Sequence, residues 1–146
     1  NEIKSSGRIF CTVGNMEYLK HGGRIGKVAS VAGSLLGIKP IITLKEGEIF
    51  PSGIGRSRRK TVDKTIDLLL AYLAEEKTDI ADYSICIGYG YDKEEAVEFR
   101  DRLVSRLKEK GYDIDTIPIF QIGATIGVHT GPYPLGIGVV KKSIRE

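Results

Sequence analysis

Two apolar runs rich in β-branched residues, Ile38 to Leu44 and Glu48 to Ile54, stand either side of Lys45-Glu46-Gly47. Runs of this kind joined by a glycine-bearing turn make an antiparallel hairpin. Downstream the pattern changes. A helical stripe from about Thr61 to Glu76, with Val62, Ile66, Leu69, Leu70 and Leu73 on one face, leads into an apolar run from Tyr83 to Tyr89. That run shows little alternation and reads as a strand buried on both faces. Asp92 and Glu95 approximate a capping box for a further helix, whose buried stripe is Ala96, Phe99, Leu103 and Leu107 and which Gly111 closes. A strand from Ile114 to Ile122 follows, and its Pro118 directs it to an edge or a bulge. Strand–helix–strand units force parallel neighbours, whereas the hairpin forces an antiparallel pair. The expected fold is therefore α+β: a two-layer α/β sandwich whose mixed, partly antiparallel sheet is covered by helices mainly on one face.

The flanking segments complete this plan. Arg8 to Val13 reads as a strand, and Asn15 offers a cap to a short helix through Tyr18 and Leu19 that stops at Gly22-Gly23. A second helix is expected after Gly26, with Val28, Val31, Ala32 and Leu35 on one face, Ala29 and Gly33 allowing close packing, and Gly37 as a left-handed cap. Leu135 to Val140 is the last strand, separated from its predecessor by a glycine-rich stretch read as a loop. Neither an internal repeat nor a linker divides residues 1–146, so one domain is expected.

Of the 146 residues, 41% are hydrophobic and 28% charged, a profile that disfavours disorder. No apolar run approaches the ~18 residues needed to span a bilayer, and no signal-peptide core follows Asn1, so a cytoplasmic setting is expected. The chain begins without Met and is read as a piece of something longer. Cys11 and Cys86 sit inside apolar strands and read as buried free thiols. The net charge of +3 divides unevenly: residues 1–64 hold 12 Lys/Arg against 5 Asp/Glu, and the remainder 10 against 14. The first part suits an anionic ligand or partner.

Three segments could carry chemistry. Gly22-Gly23-Arg24-Ile25-Gly26 projects Arg24 at the entrance to a helix, where free N–H groups and the dipole also favour an anion. Arg56-Ser57-Arg58-Arg59-Lys60 crowds four cations before the long helix, and an anionic surface or phosphate would relieve their repulsion. In Gly123 to Pro132, His129 can donate to a carboxylate, while Thr130 can both donate and accept. No Cys/His/Asp/Glu cluster has metal-ligand spacing, and no P-loop is present, so neither a metal nor a cofactor is expected. A hydrolase built on His129 lacks an identifiable nucleophile–base pair, so no catalytic residue is assigned.

Four blocks together carry a resemblance: Met16-Glu-Tyr-Leu-Lys-His-Gly-Gly-Arg24-Ile25, Ser34-Leu-Leu-Gly-Ile-Lys-Pro-Ile41, Gly55-Arg-Ser-Arg-Arg-Lys60 and Ile126-Gly-Val-His-Thr-Gly-Pro132. In order and spacing they resemble the C-terminal domain of the DegV family across nearly the whole chain. The resemblance implies a bacterial protein that is not itself an enzyme. It would hold a long-chain fatty acid between two domains and present the carboxylate to a separate fatty acid kinase. Arg24 and His129, with Thr130, would take the carboxylate; Arg56, Arg58 and Arg59 would dock the kinase. The family's N-terminal domain, which supplies hydroxyl ligands and half the tunnel, is absent here. The chain alone is therefore expected to bind lipid weakly and to self-associate through its exposed interdomain surface. Tyr133-Pro134 follows Gly-Pro where relatives carry small residues. The alternative is a phosphate-ligand or nucleic-acid-binding module built on Arg56 to Lys60, and no aromatic stacking platform near those cations supports nucleic acid as a partner.

Overall fold

The computed structural model describes residues 2–29 and 37–143. Its elements in chain order are α1 (Glu2–Ser6), β1 (Arg8–Thr12), α2 (Glu17–His21), a 3-10 turn at Gly26–Val28, β2 (Lys39–Lys45), β3 (Glu48–Gly55), α3 (Arg58–Glu76), β4 (Tyr83–Tyr89), α4 (Lys93–Glu109), β5 (Ile119–Gln121), α5 (Ala124–Thr130) and β6 (Leu135–Lys141). The expected helix residues Val31, Ala32, Gly33 and Leu35 lie outside the described residues.

The hairpin forms as the sequence implies. Lys45 pairs with Glu48, and the two residues between them, Glu46 and Gly47, both have positive φ (52° and 81°), the twist a two-residue hairpin turn requires. The sheet order is β3-β2-β1-β6-β4-β5. All neighbours are antiparallel except β4 and β5, so the mixed sheet has its one parallel pair at an edge. Pro118 immediately precedes that three-residue edge strand, which is much shorter than the nine residues expected. The proline cannot donate to a ladder, but its carbonyl accepts the Ile87 N–H at 2.9 Å.

One face of the sheet is the core. Phe10, Ile85, Ile87, Tyr89, Leu135, Ile137 and Val139 meet Val62, Ile66, Leu69 and Leu73 of α3 and Ala96, Phe99, Leu103 and Leu107 of α4. Asp92 caps α4 as expected, its Oδ1 accepting the Glu95 N–H at 2.9 Å. Asn15 does not stand at the cap of α2, which is Met16 with no side-chain cap bond; one residue earlier, its Oδ1 accepts the Glu17 N–H at 3.0 Å. The two long helices thus cover one face, as expected, and the other carries only a smaller cluster: Val13, Leu19, Val28 and Ile42 lie with Cys11, Leu44 and Ile49 beneath α2 and the 3-10 turn. β4 is not buried on both faces: Ser84 is exposed, and Cys86 and Gly88 are half-buried.

Candidate functional site

β6 reads Leu-Gly-Ile-Gly-Val, and strand alternation puts its two glycines on the face away from α3 and α4. The register then assembles a floor of small residues across three strands. Gly136 lies opposite Cys11 on one side and Gly88 on the other; Gly138 lies between Ile9 and Cys86. A Cβ on Gly136 would collide with Cys11, and one on Gly138 would sit 3.1 Å from Cys86 Sγ. The result is an apolar trough. At the α1 end it widens into a cavity of about 820 Å³ lined by Ile9, Leu44, Cys86, Phe120, Gly138 and Val140. Of β6, Gly138, Val139 and Val140 line this cavity, and Gly136 with Gly88 continues the glycine surface toward the other end of the strand. Burial pushes the Cys11 thiol up to about 12 and also raises that of Cys86, so neither is an activated nucleophile.

The opposite end of the sheet, where β1 leaves and β6 enters, is closed by α2 and α5. The stretch 123–132 is not a loop: Gly123 starts a helix over Ala124–Thr130 that Gly131 ends with φ 74°. The two short helices interlock ring against glycine. The His129 imidazole packs on Gly22, and the Tyr18 ring packs on Gly131. Gly22 and Gly23 serve different purposes. Gly23, with φ 66°, is the left-handed residue of a Schellman ending, in which the Arg24 N–H reaches Leu19 O at 2.8 Å and the Gly23 N–H reaches Lys20 O at 3.2 Å. Gly22 has an ordinary φ of −77°.

Arg24 is exposed and folds back so that Nη1 donates to Gly22 O at 3.3 Å. His129 is half-buried, and its Nδ1 is buried without a hydrogen-bond partner. Two side chains more than a hundred positions apart in sequence thus contact the same glycine. Thr130 is adjacent in sequence, but its hydroxyl is placed to donate to Ile126 O at 3.3 Å or Gly131 O at 3.2 Å. Its free lone pair is what remains for a ligand.

The basic segment is less uniform than its sequence suggests. α3 begins three residues earlier than expected, so Arg58 and Arg59 form its first turn, behind the Ser57 cap. Arg58 makes a two-pronged ion pair with Glu95, Nε to Oε1 at 2.8 Å and Nη2 to Oε2 at 2.9 Å. Glu95 was legible only as a helix cap. Arg102–Asp63 and Arg106–Asp67 continue the series down two parallel helices. Arg56 and Arg59 are exposed. With Arg58 paired, and with Glu95, Glu98 and Asp101 lining the same groove, a phosphate or nucleic-acid site on this segment is not favoured. Among the described residues no group of three or more His, Cys, Asp or Glu could hold a metal ion, and no helix is long and apolar enough to cross a membrane.

Comparison with known proteins agrees with this architecture. A stearic acid-binding protein from Eubacterium ventriosum superposes with a TM-score of 0.86 at 44% identity, covering 97% of this chain and 46% of that one. A fatty acid-binding DegV family protein from Thermus thermophilus superposes at 0.77 with 27% identity, over 93% of this chain and 46% of that one. A DegV domain-containing protein of Clostridium perfringens is 36% identical over 137 residues, which are 91% of this chain and 44% of the relative. The chain thus spans about half the length of the curated relatives it matches. The family model for DegV, described as an uncharacterised protein family, matches residues 1–142. With nearly every residue inside that match, the chain belongs to the DegV family.

Proposed function

We propose that this chain is the lipid-holding domain of a two-domain bacterial fatty acid carrier. The carboxylate of a long-chain fatty acid is taken by Arg24 and Nε2 of His129, with Thr130 beside them, while the acyl chain lies along the glycine-floored trough. The observation that carries this reading is the meeting of Arg24 and His129 at Gly22, at one end of a sheet whose open face is apolar. A carboxylate offers two oxygens to two donors, and an acyl chain needs apolar surface without competing polar groups. The solved relatives described as fatty acid-binding support the ligand class.

In this reading the domain binds and presents; it does no chemistry itself. The carboxylate is offered to a separate fatty acid kinase in the cytoplasm, and Arg56 and Arg59 are exposed cations that dock it. Arg58 serves the α3–α4 contact instead. A second domain closes the carboxylate end, where Tyr91, Ile126, Val128 and Tyr133 are exposed apolar residues. The isolated chain therefore binds lipid weakly and self-associates.

Calorimetric titration with stearate and oleate tests the reading, on this chain and on the two-domain protein. Arg24→Ala should weaken binding about 10- to 100-fold, the equivalent of a charge-assisted contact of about 1.5–3 kcal/mol, and Arg24→Lys should weaken it less. Equal affinity of Arg24→Ala and the parent would remove Arg24 from the site.

A further inference from the structure

A glycine with positive φ explains itself; one at −77° does not. The Gly22 backbone conformation, φ −77° and ψ 1°, is open to any residue. Space is what forbids a side chain there. A Cβ on Gly22 would run into Nδ1 of His129 and sit 3.1 Å from its Cε1. The same ring atom, Nδ1, is buried and has no hydrogen-bond partner. A buried N–H without an acceptor is rarer and costlier than a bare ring nitrogen lone pair, and the Gly22 Cα–H can at most give that lone pair a weak contact.

We infer that Gly22 is a positioning residue for His129: its bare Cα seats the imidazole with Nδ1 inward and unprotonated, so that the ring meets a ligand oxygen only as an Nε2–H donor. The ligand role of His129 rests on the proposed function above; its seating does not. Because the Gly22 carbonyl also holds Arg24, one residue sets the spacing of both donors.

The two halves of the inference separate experimentally. Long-range ¹H–¹⁵N correlation spectra of this chain without ligand, at a pH where the ring is neutral, should show His129 with its proton on Nε2. Gly22→Ala should shift the His129 ring resonances. In the two-domain protein, Gly22→Ala should weaken stearate binding at least tenfold. In a His129→Ala background the same change should cost less than twofold, since the ring is the nearest obstacle to the new methyl group and only the Tyr18 carbonyl, at 3.1 Å, then remains beside it. An Nδ1–H tautomer, unmoved ring resonances, or an equal loss in both backgrounds would overturn the inference. Should Gly22→Ala unfold the chain, folding of the Gly22→Ala/His129→Ala double variant supports the contact, and unfolding of both overturns it. If stearate fails to bind the unaltered protein, the carrier reading falls, while the spectra still decide the seating of His129.

Discussion

Replacing Arg58 with Gln should destabilise the fold, whereas the same change at Arg56 or Arg59 should not. Arg58 and Glu95 face each other with two parallel hydrogen bonds of 2.8 and 2.9 Å, and their side chains are 25% and 27% exposed. A fully exposed pair contributes about 0–1 kcal/mol, and cutting a deeply buried one costs about 3–5 kcal/mol. A quarter-exposed pair lies between these limits. Two features push in opposite directions. Arg58 Nη1 is buried with no partner, which lowers the net value of keeping the arginine. Its removal, however, leaves Glu95 in a groove also lined by Glu98 and Asp101. The expected loss is about 1–2 kcal/mol, or several degrees in Tm for a chain of this size. Urea unfolding of Arg58→Gln, Glu95→Gln and the double variant measures it, with a coupling of about 1 kcal/mol expected. Arg56→Gln and Arg59→Gln should stay within about 0.5 kcal/mol of the parent. A stable Arg58→Gln with no coupling to Glu95 would return all three arginines to the docking surface and refute the division made between them.

Two further outcomes follow from the trough. Cys86→Phe should fill the floor beside Gly138 and weaken binding of an 18-carbon acid at least tenfold while sparing an eight-carbon acid, as read by titration; equal losses would place the chain elsewhere. The Cys11 thiol stays protonated in the folded chain to about 12, whereas an unfolded thiol ionises near 8.5. The unfolded state therefore holds fewer protons between these limits, and stability should fall as pH rises through that window. Tyr72, also raised to about 12, adds its own fall above its ordinary value near 10. The Cys11 share is the part removed by Cys11→Ala in parallel urea titrations between pH 8 and 11; identical slopes for the two proteins would show that burial does not hold the proton.

The long elements were legible because their signals were local and redundant. The α4 stripe, its Asp92 cap and the Glu46-Gly47 turn each specify their structure within a few residues. α5 was not legible: Gly, Thr, Ile, Val and His are poor helix formers, and seven residues cannot hold a helix without the α2 surface against them. Glycines spaced four apart at 123, 127 and 131 were the available sign of one helical turn after another. The trough floor was missed for a related reason. Large–small alternation in Leu135 to Val139 was visible, but its meaning depends on which residues of β1 and β4 lie opposite, and register across non-consecutive strands is a tertiary property. Arg24 and His129 were named from their chemistry, while the glycine that brings them together was read only as a flexible turn.

A sheet normally draws cohesion from side chains on both of its surfaces. Here β6 and β4 carry glycine at three adjacent positions on one surface, so among the described residues their middle is held chiefly by main-chain ladders and by packing from the α3–α4 side. An acyl chain lying there would supply the missing hydrocarbon, and cargo would complete the interior. Folding stability would then rise with occupancy, by about 2.7 kcal/mol when the free acid exceeds its Kd a hundredfold. Empty molecules would open more often along β4 and β6, and exchange of those amides would report the loading state of the population directly. Turnover by proteases, which act on opened chains, would in turn fall most heavily on molecules without a bound acid.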